Sequence, residues 1–272
     1  MRVIWIQDYI KREGGAEQSN KAVVHVGESL GFDIVGMSPT HFPEQLLKDA
    51  DVAVINNFHA FSHNQVGAIR RSCLHGPLPF VMYSHDYRDL RRTNFIGAFF
   101  EKSRLNVFIS PKHMEDYRGT MKLERCVSIP LCVDPKGFQP VQGIERRRNS
   151  AVIVAPQKQG AQCAKFIAEH KEWVFCSLGQ RLLGCEEVRA SLPFKDMPKI
   201  YSEFENLVHF PRSSCGGERV LFEAALCGCL PWSNGNAGHA SWGYDWKDRE
   251  KLSKILEEAP FTFWKALEEN CT

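Results

Sequence analysis

Short apolar runs rich in Val, Ile and Phe alternate along this chain with longer stretches in which apolar residues recur every three or four positions. The short runs suit strands buried on both faces, and the longer stretches suit helices laid over them. The pattern therefore predicts parallel sheets covered by helices on both sides. In the first half the runs are Val3–Ile6, Ile34–Met37, Val52–Ile55, Phe80–Tyr83, Val107–Ile109 and Cys126–Ile129, with helices predicted near 15–30, 62–74, 94–103 and 111–118. From Leu131 to Asn149 the text turns to Pro135, Gly137, Pro140, Gly143 and the run Arg146-Arg147-Arg148, which reads as an exposed connection. A second series follows, with strands near Ala151–Val154, Trp173–Ser177 and Leu207–Phe210 and helices near 160–170, 197–205 and 217–228. Two Rossmann-like, doubly wound α/β domains are expected, over 1–140 and 141–247. A last helical segment, 248–272, is expected to pack back on the first domain.

Composition narrows the class without naming a chemistry. With 272 residues, 43% hydrophobic and 24% charged, the chain suits one large or two lean globular domains. Ten cysteines are scattered singly apart from Cys227 and Cys229, which predicts a reducing, cytoplasmic setting rather than a disulfide framework. The opening run Val3–Ile6 is broken by Gln7 and Asp8, far short of the ~20 apolar residues of a membrane span. The net charge of +2 combines a mildly basic first half with a mildly acidic second half. That is far from the strongly basic footprint of a dedicated nucleic-acid binder.

In open parallel sheets, ligands bind beyond the carboxyl ends of the strands, where helix N-termini present unpaired N–H groups to anions. Three such loops carry candidate chemistry. After the first strand, Arg12-Glu13-Gly14-Gly15-Ala16-Glu17 opens a helix, and Gly14 and Gly15 allow close approach of a phosphate. The spacing is not the dinucleotide fingerprint. After the fourth strand, Ser84-His85-Asp86-Tyr87-Arg88-Asp89 places polar groups where packing does not demand them. His85 can exchange a proton near neutral pH, and Arg88 can meet a phosphate or carboxylate. After the third strand of the second series, Cys215-Gly216-Gly217-Glu218-Arg219 leads into a helix. Arg219 lies in its first turn, and Glu223 follows one turn later as a carboxylate able to take the vicinal hydroxyls of a ribose. Asp49 and Asp51 precede a strand and so fall at the wrong end of the sheet for a metal site, and Cys227 and Cys229 read as core thiols.

At these residues the chain resembles retaining GT-B glycosyltransferases of the "glycosyltransferase group 1" type, particularly short versions from viral and environmental genomes. The resemblance runs through Gly14-Gly15-Ala16-Glu17, Ser84-His85-Asp86-Tyr87, Phe108-Ile109-Ser110-Pro111, Ile129-Pro130-Leu131-Cys132-Val133-Asp134 and Phe222-Glu223-Ala224-Ala225-Leu226-Cys227-Gly228-Cys229. It implies metal-independent transfer of a hexose or pentose from a nucleotide-diphosphate donor, bound in an interdomain cleft, with no cofactor. The second domain would hold the nucleotide and the first would present the acceptor. Glu223 would hold the ribose, Lys158 in Ala155-Pro156-Gln157-Lys158-Gln159-Gly160 would neutralise the leaving diphosphate, and His85 would orient sugar or acceptor. Two departures stand out. Cys215 occupies the position of a second, sugar-contacting glutamate, with Glu218 nearby as a stand-in, and the arginine that accompanies the lysine is missing, with Arg219 as its substitute. The expected acceptor is a glycan or lipid-linked sugar. A modified DNA base is the alternative, met by Asp86, Arg88, Arg91 and Arg92 within a basic set that includes Arg70, Arg71, Lys102 and Arg104. A non-catalytic nucleotide-sugar-binding module is the rival from outside the enzyme class.

Overall fold

The structure, a computed structural model, describes residues 1–8, 15–57, 59–86 and 94–272. Two compact units are present: Met1–Cys132 with Glu258–Thr272, and Val133–Glu257.

The first unit is built on six parallel strands: β1 (Arg2–Ile6), β2 (Asp33–Met37), β3 (Val52–Ile55), β4 (Phe80–Ser84), β5 (Leu105–Phe108) and β6 (Cys126–Ser128), in the order β2-β1-β3-β4-β5-β6. Its central strands are mostly apolar and, Arg2 apart, buried at every position because both faces are covered. On one side lie α2 (His63–Ile69), α3 (Asn94–Lys102) and α4 (Pro111–Arg118), around Ile69, Phe99, Phe100 and Tyr117. On the other lie α1 (Gly15–Ser29) and the end of a long helix, which bring Val23, Phe263 and Trp264 against Trp5, Val54 and Tyr83. A Cβ on Gly27 of α1 would lie 2.2 Å from Trp264 Cζ2, so this helix approaches the indole with only a hydrogen as side chain. Helix starts follow their local chemistry. Ser62 and Gln65 form a reciprocal capping box on α2, and Ser110 caps α4 ahead of Pro111. The stretch expected as one helix over 62–74 divides, with a π turn over Arg70–Leu74 after α2.

The second unit carries β7 (Arg147–Ile153), α5 (Ala161–Glu169), β8 (Val174–Leu178), β9 (Glu187–Arg189), α6 (Met197–Glu203), β10 (Phe204–His209), α7 (Arg219–Leu226) and β11 (Leu230–Ser233), with α8 (Arg249–Cys271) following. Its five strands are again all parallel, in the order β11-β10-β7-β8-β9. Strand order reverses at β7, so the crevice between the carboxyl ends of β7 and β10 is the topological switch point, where open α/β sheets hold ligands. Two of these strands, β9 and β11, were not expected from the sequence. Of the arginine run expected in an exposed connection, Arg147 and Arg148 instead open β7. Arg147 and Arg189 lie over the Phe204 ring, both 5.2 Å from its centroid, and interlock with Glu187 and Glu203.

Helix α8 serves both cores. Leu252 and Leu256 are buried in the second unit, and Ala259, Phe263, Trp264 and Leu267 in the first.

Candidate functional site

The loops leaving β7 and β10 are knitted together at the switch point. Gly160 N–H donates to the Phe210 carbonyl (2.8 Å), Arg212 N–H donates to the Lys158 carbonyl (3.0 Å), and Gln159 bridges Val154, His209 and Phe210. The turn out of β7 is set by Ala155, which adopts the left-handed conformation (φ 52°, ψ 61°) ahead of Pro156. A non-glycine residue held there is strained, and such strain concentrates at ligand-binding loops.

This geometry sets Lys158 beside Glu218, with Nζ 3.3 Å from Oε1. The same oxygen lies 3.9 Å from Nε2 of His209, a buried histidine that closes β10. Glu218 also stands at the N-cap position of α7, where its backbone carbonyl accepts from Nδ1–H of His239 at 3.0 Å. A carbonyl only accepts, so that tautomer of His239 is fixed. The His239 ring packs on Phe222, with centroids 4.4 Å apart, and against Gly217, where a Cβ would lie 2.2 Å from Nε2. Gly217 is therefore required by an imidazole packed on its backbone, a reason invisible in the sequence.

One turn into α7, Arg219 and Glu223 meet each other. Arg219 Nε donates to Glu223 Oε1 at 2.9 Å, and the guanidinium lies over the Phe194 ring. Tyr201 donates to the other carboxylate oxygen at 3.4 Å. Glu223 is 3% exposed, and burial holds its carboxyl above the usual range against the opposing pull of Arg219 and Tyr201. Cys215 is half-buried. Its Sγ lies 3.4 Å from the Asn236 carbonyl, and burial pushes the thiol up to about 12, so it remains protonated. Gly216 beside it is buried.

A cavity of about 420 Å³ opens among the loops that follow β7, β8 and β9. Leu178, Leu192 and Met197 give it apolar walls, while Gln157, Gln180 and Ser191 bring polar groups. Gly179 in its rim adopts φ +87°, and a Cβ there would lie 2.5 Å from Ser191 Oγ, so both conformation and space call for glycine.

In the first unit, His85 follows β4 and is 3% exposed, its ring edge-to-face with Tyr83 at 4.4 Å. Asp86 is exposed, and its backbone carbonyl accepts from Tyr117 Oη at 3.4 Å. Gly15 begins α1. Gly14, Arg88, Arg91 and Arg92 lie outside the described residues. Asp51 is occupied at the far end of the sheet, accepting from Arg2 N–H at 2.6 Å. Among the described residues, no group of three or more His, Cys, Asp or Glu side chains has the arrangement to hold a metal ion, and no helix is long and apolar enough to cross a membrane. Lys158 and Glu218 thus meet where the loops leaving β7 and β10 come together, Gly217 immediately precedes Glu218, and Arg219 and Glu223 pair in the helix that follows. Sequence reasoning missed His209, His239 and Tyr201 beside them. For His209 a signal existed, a polar residue closing a buried apolar strand as His85 does.

No protein-family model matches the chain, and no curated protein matches it in sequence. Solved structures do. HepE of Anabaena, solved with UDP and glucose, is 11% identical, with 99% of this chain and 95% of that one covered and a TM-score of 0.61. WaaG, a glycosyltransferase involved in lipopolysaccharide biosynthesis, is 13% identical over 99% and 94% of the two chains, with a TM-score of 0.62. An alpha-glucosyltransferase solved with UDP and a 13-mer DNA containing an HMU base is 11% identical over 99% and 95%, with a TM-score of 0.61. At such identities the likeness is one of fold, and with two parallel-sheet α/β units matched over nearly their whole length, the chain has the GT-B fold of glycosyltransferases.

Proposed function

We propose that this protein transfers a sugar from a nucleoside-diphosphate donor to a hydroxyl group, with retention at the anomeric carbon and without a metal ion. The observation that carries the reading is the combination at the second unit's switch point. Lys158 and the Gly216-Gly217 entry to α7 follow β7 and β10, and a cavity of about 420 Å³ with apolar walls and polar rim groups is lined by the residues just before Lys158, Ala155 and Gln157 among them. The cavity suits a nucleoside, and the lysine and the helix start suit a diphosphate. Glu223, oriented by Arg219 and Tyr201, is the acceptor proposed for the ribose hydroxyls. UDP in the structures of HepE and the alpha-glucosyltransferase supports a uridine donor.

In the reaction, the bond from the anomeric carbon to the diphosphate oxygen breaks and the bond to the acceptor oxygen forms on the same face. The acceptor proton passes to the departing phosphate. Negative charge grows on the diphosphate in the transition state, so a cation fixed at Lys158 lowers the barrier more than it tightens ground-state binding. His85, buried against Tyr83 just after β4, is the residue proposed to orient sugar or acceptor, and the exposed Asp86 belongs to the acceptor side. The acceptor proposed first is a glycan or lipid-linked sugar. The DNA-bound structure of the alpha-glucosyltransferase favours a second reading, a modified base in DNA met by Arg88, Arg91 and Arg92.

The test is thermal stabilisation by a panel of nucleoside-diphosphate sugars, followed by turnover with glycan and hydroxymethylated-DNA acceptors. A donor that binds and turns over supports the reading. Binding without turnover on any acceptor would favour a nucleotide-sugar-binding module instead.

A further inference from the structure

The side chain of Gln159 fixes the state of His209. Its Oε1 accepts from the Phe210 backbone N–H at 2.7 Å, a group that can only donate, and its Nε2 donates to the Val154 carbonyl at 3.1 Å, a group that can only accept. The amide therefore has one orientation, and Nε2 faces His209 Nδ1 at 3.1 Å. Nδ1 must accept, and the neutral ring carries its proton on Nε2. A proton on Nδ1 would set N–H against N–H. Burial and Lys158 act in the same direction, holding His209 below its ordinary range against the pull of Glu218. From β11, Ser233 holds the backbone of this residue, its hydroxyl donating to the His209 carbonyl at 2.8 Å. The charged groups acting on the ring are Glu218 and Lys158.

The Nε2–H so fixed makes no hydrogen bond among the described residues. It lies 3.9 Å from Glu218 Oε1, the oxygen that Lys158 holds at 3.3 Å. Glu218 is mostly covered, and Lys158 is half exposed. A polyanion arriving at Lys158 takes this cation away from Glu218 and leaves the carboxylate facing like charge. Without another partner the side chain would turn toward water.

We propose that His209 is a positioning residue that takes over Glu218: as the donor's diphosphate draws Lys158 away, Glu218 closes onto the Nε2–H of His209 and stays as a fixed acceptor for a hydroxyl of the donor sugar. The proposal rests on the donor reading above. It assigns Glu218 a lasting role after Lys158 has left it, and it makes the hand-over proton-neutral, because His209 donates without becoming charged.

The experiment uses the full chain with ¹⁵N-labelled histidine, titrated with UDP and with UDP-glucose. His209 is expected as the neutral Nε2–H tautomer from about pH 6 to 8, free and bound. Its Nε2–H proton should move downfield on UDP-glucose binding, and that movement should be absent in Glu218→Ala. His209→Leu should weaken UDP-glucose by about tenfold, the scale of a lost hydrogen bond to a charged group, and UDP by clearly less. His209→Gln, which restores an N–H near the Nε2 position, should stay within about threefold of the parent, well under the scale of such a lost bond. An Nδ1–H tautomer, proton uptake on binding, or equal losses for the two ligands would overturn the proposal. Binding of both ligands with an unmoved His209 resonance overturns the hand-over and spares the donor reading. If neither ligand binds, the donor reading falls and the hand-over falls with it.

Discussion

Replacing Arg219 by methionine removes the cation from a carboxylate that has almost no water to turn to. Glu223 is 3% exposed and Arg219 6%, and the two meet at 2.9 Å, with Tyr201 contributing one longer bond at 3.4 Å. An effective dielectric of 20 gives a unit pair about 4 kcal/mol at 4 Å, and breaking a buried pair from one side costs about 3–5 kcal/mol. The Tyr201 hydroxyl, at the long end of hydrogen bonding, recovers little of this. The loss should depend on pH. Burial already holds the Glu223 carboxyl above its usual range, so the folded protein binds that proton more tightly than the unfolded chain. A raised pKa contributes stability that is complete below the unfolded value, about 4.3, and is lost as pH rises through the folded value. Without Arg219 the folded value rises further, and the deficit against the parent grows from weakly acid to neutral pH. Urea denaturation followed by circular dichroism at about pH 5 and pH 7.5 should give a deficit of about 3–5 kcal/mol at the higher pH and much less at the lower. The double variant Arg219→Met, Glu223→Met should recover most of the loss. A deficit that is the same at both pH values, or below about 1 kcal/mol at neutral pH, would refute the buried-pair argument.

Other outcomes follow from single features. Transfer activity should survive exhaustive chelation, because charge neutralisation falls to Lys158 and the Gly216-Gly217 turn into α7; loss with EDTA restored by Mg²⁺ or Mn²⁺ would contradict this. Gly27→Ala should destabilise by about 1–3 kcal/mol by overpacking, because its Cβ would lie 2.2 Å from Trp264 and 2.7 Å from Ile34 Cδ1; an unchanged melting temperature would show that α1 can shift at little cost. If the acceptor is DNA, replacing Arg91 and Arg92 by alanine should flatten the log–log salt dependence of binding by about one to two units while leaving UDP affinity intact. Salt-insensitive DNA binding, or none, would return the acceptor to the glycan class.

The first sheet was legible because its strands are short, mostly apolar runs separated by polar stretches. All six were expected within two residues of where they lie. The strands that escaped notice are edges. β9 is three residues, Glu187-Val188-Arg189, with no apolar run, and β11 contains Pro231, which ordinarily argues against a strand and is tolerated at an edge. Arg147 was misread because a run of three arginines looks solvated. In the fold its guanidinium is tied to Glu187 and Glu203, partners 40 and 56 residues away. The glycine turn before α7 was legible as a helix start, but not what surrounds it. Glu223 was legible as a carboxylate one turn into a largely buried helix, but its pairing with Arg219 against Tyr201 and Phe194 shows only in the packed structure. His239 reaches Gly217 from a separate loop, and no local spacing encodes that contact.

The long closing helix has a consequence for how the chain acquires its structure during synthesis. Trp5, in the first strand, packs on Phe263 and Trp264, and the Trp264 indole N–H donates to the Val23 carbonyl across 241 positions of sequence. As a ribosome delivers the chain in order, the sheet of residues 2–128 emerges early with one apolar face lacking the cover of Phe263, Trp264 and Leu267. That cover arrives only after the whole of residues 133–257 has been made. Closing so long a loop is slow, and exposed apolar sheet invites aggregation meanwhile. The unit that starts first therefore finishes last, and a chain stopped before residue 258 should leave Trp5 and Tyr83 without their aromatic partners Phe263 and Trp264 while the second unit, whose own helix residues Leu252 and Leu256 precede that point, completes its core.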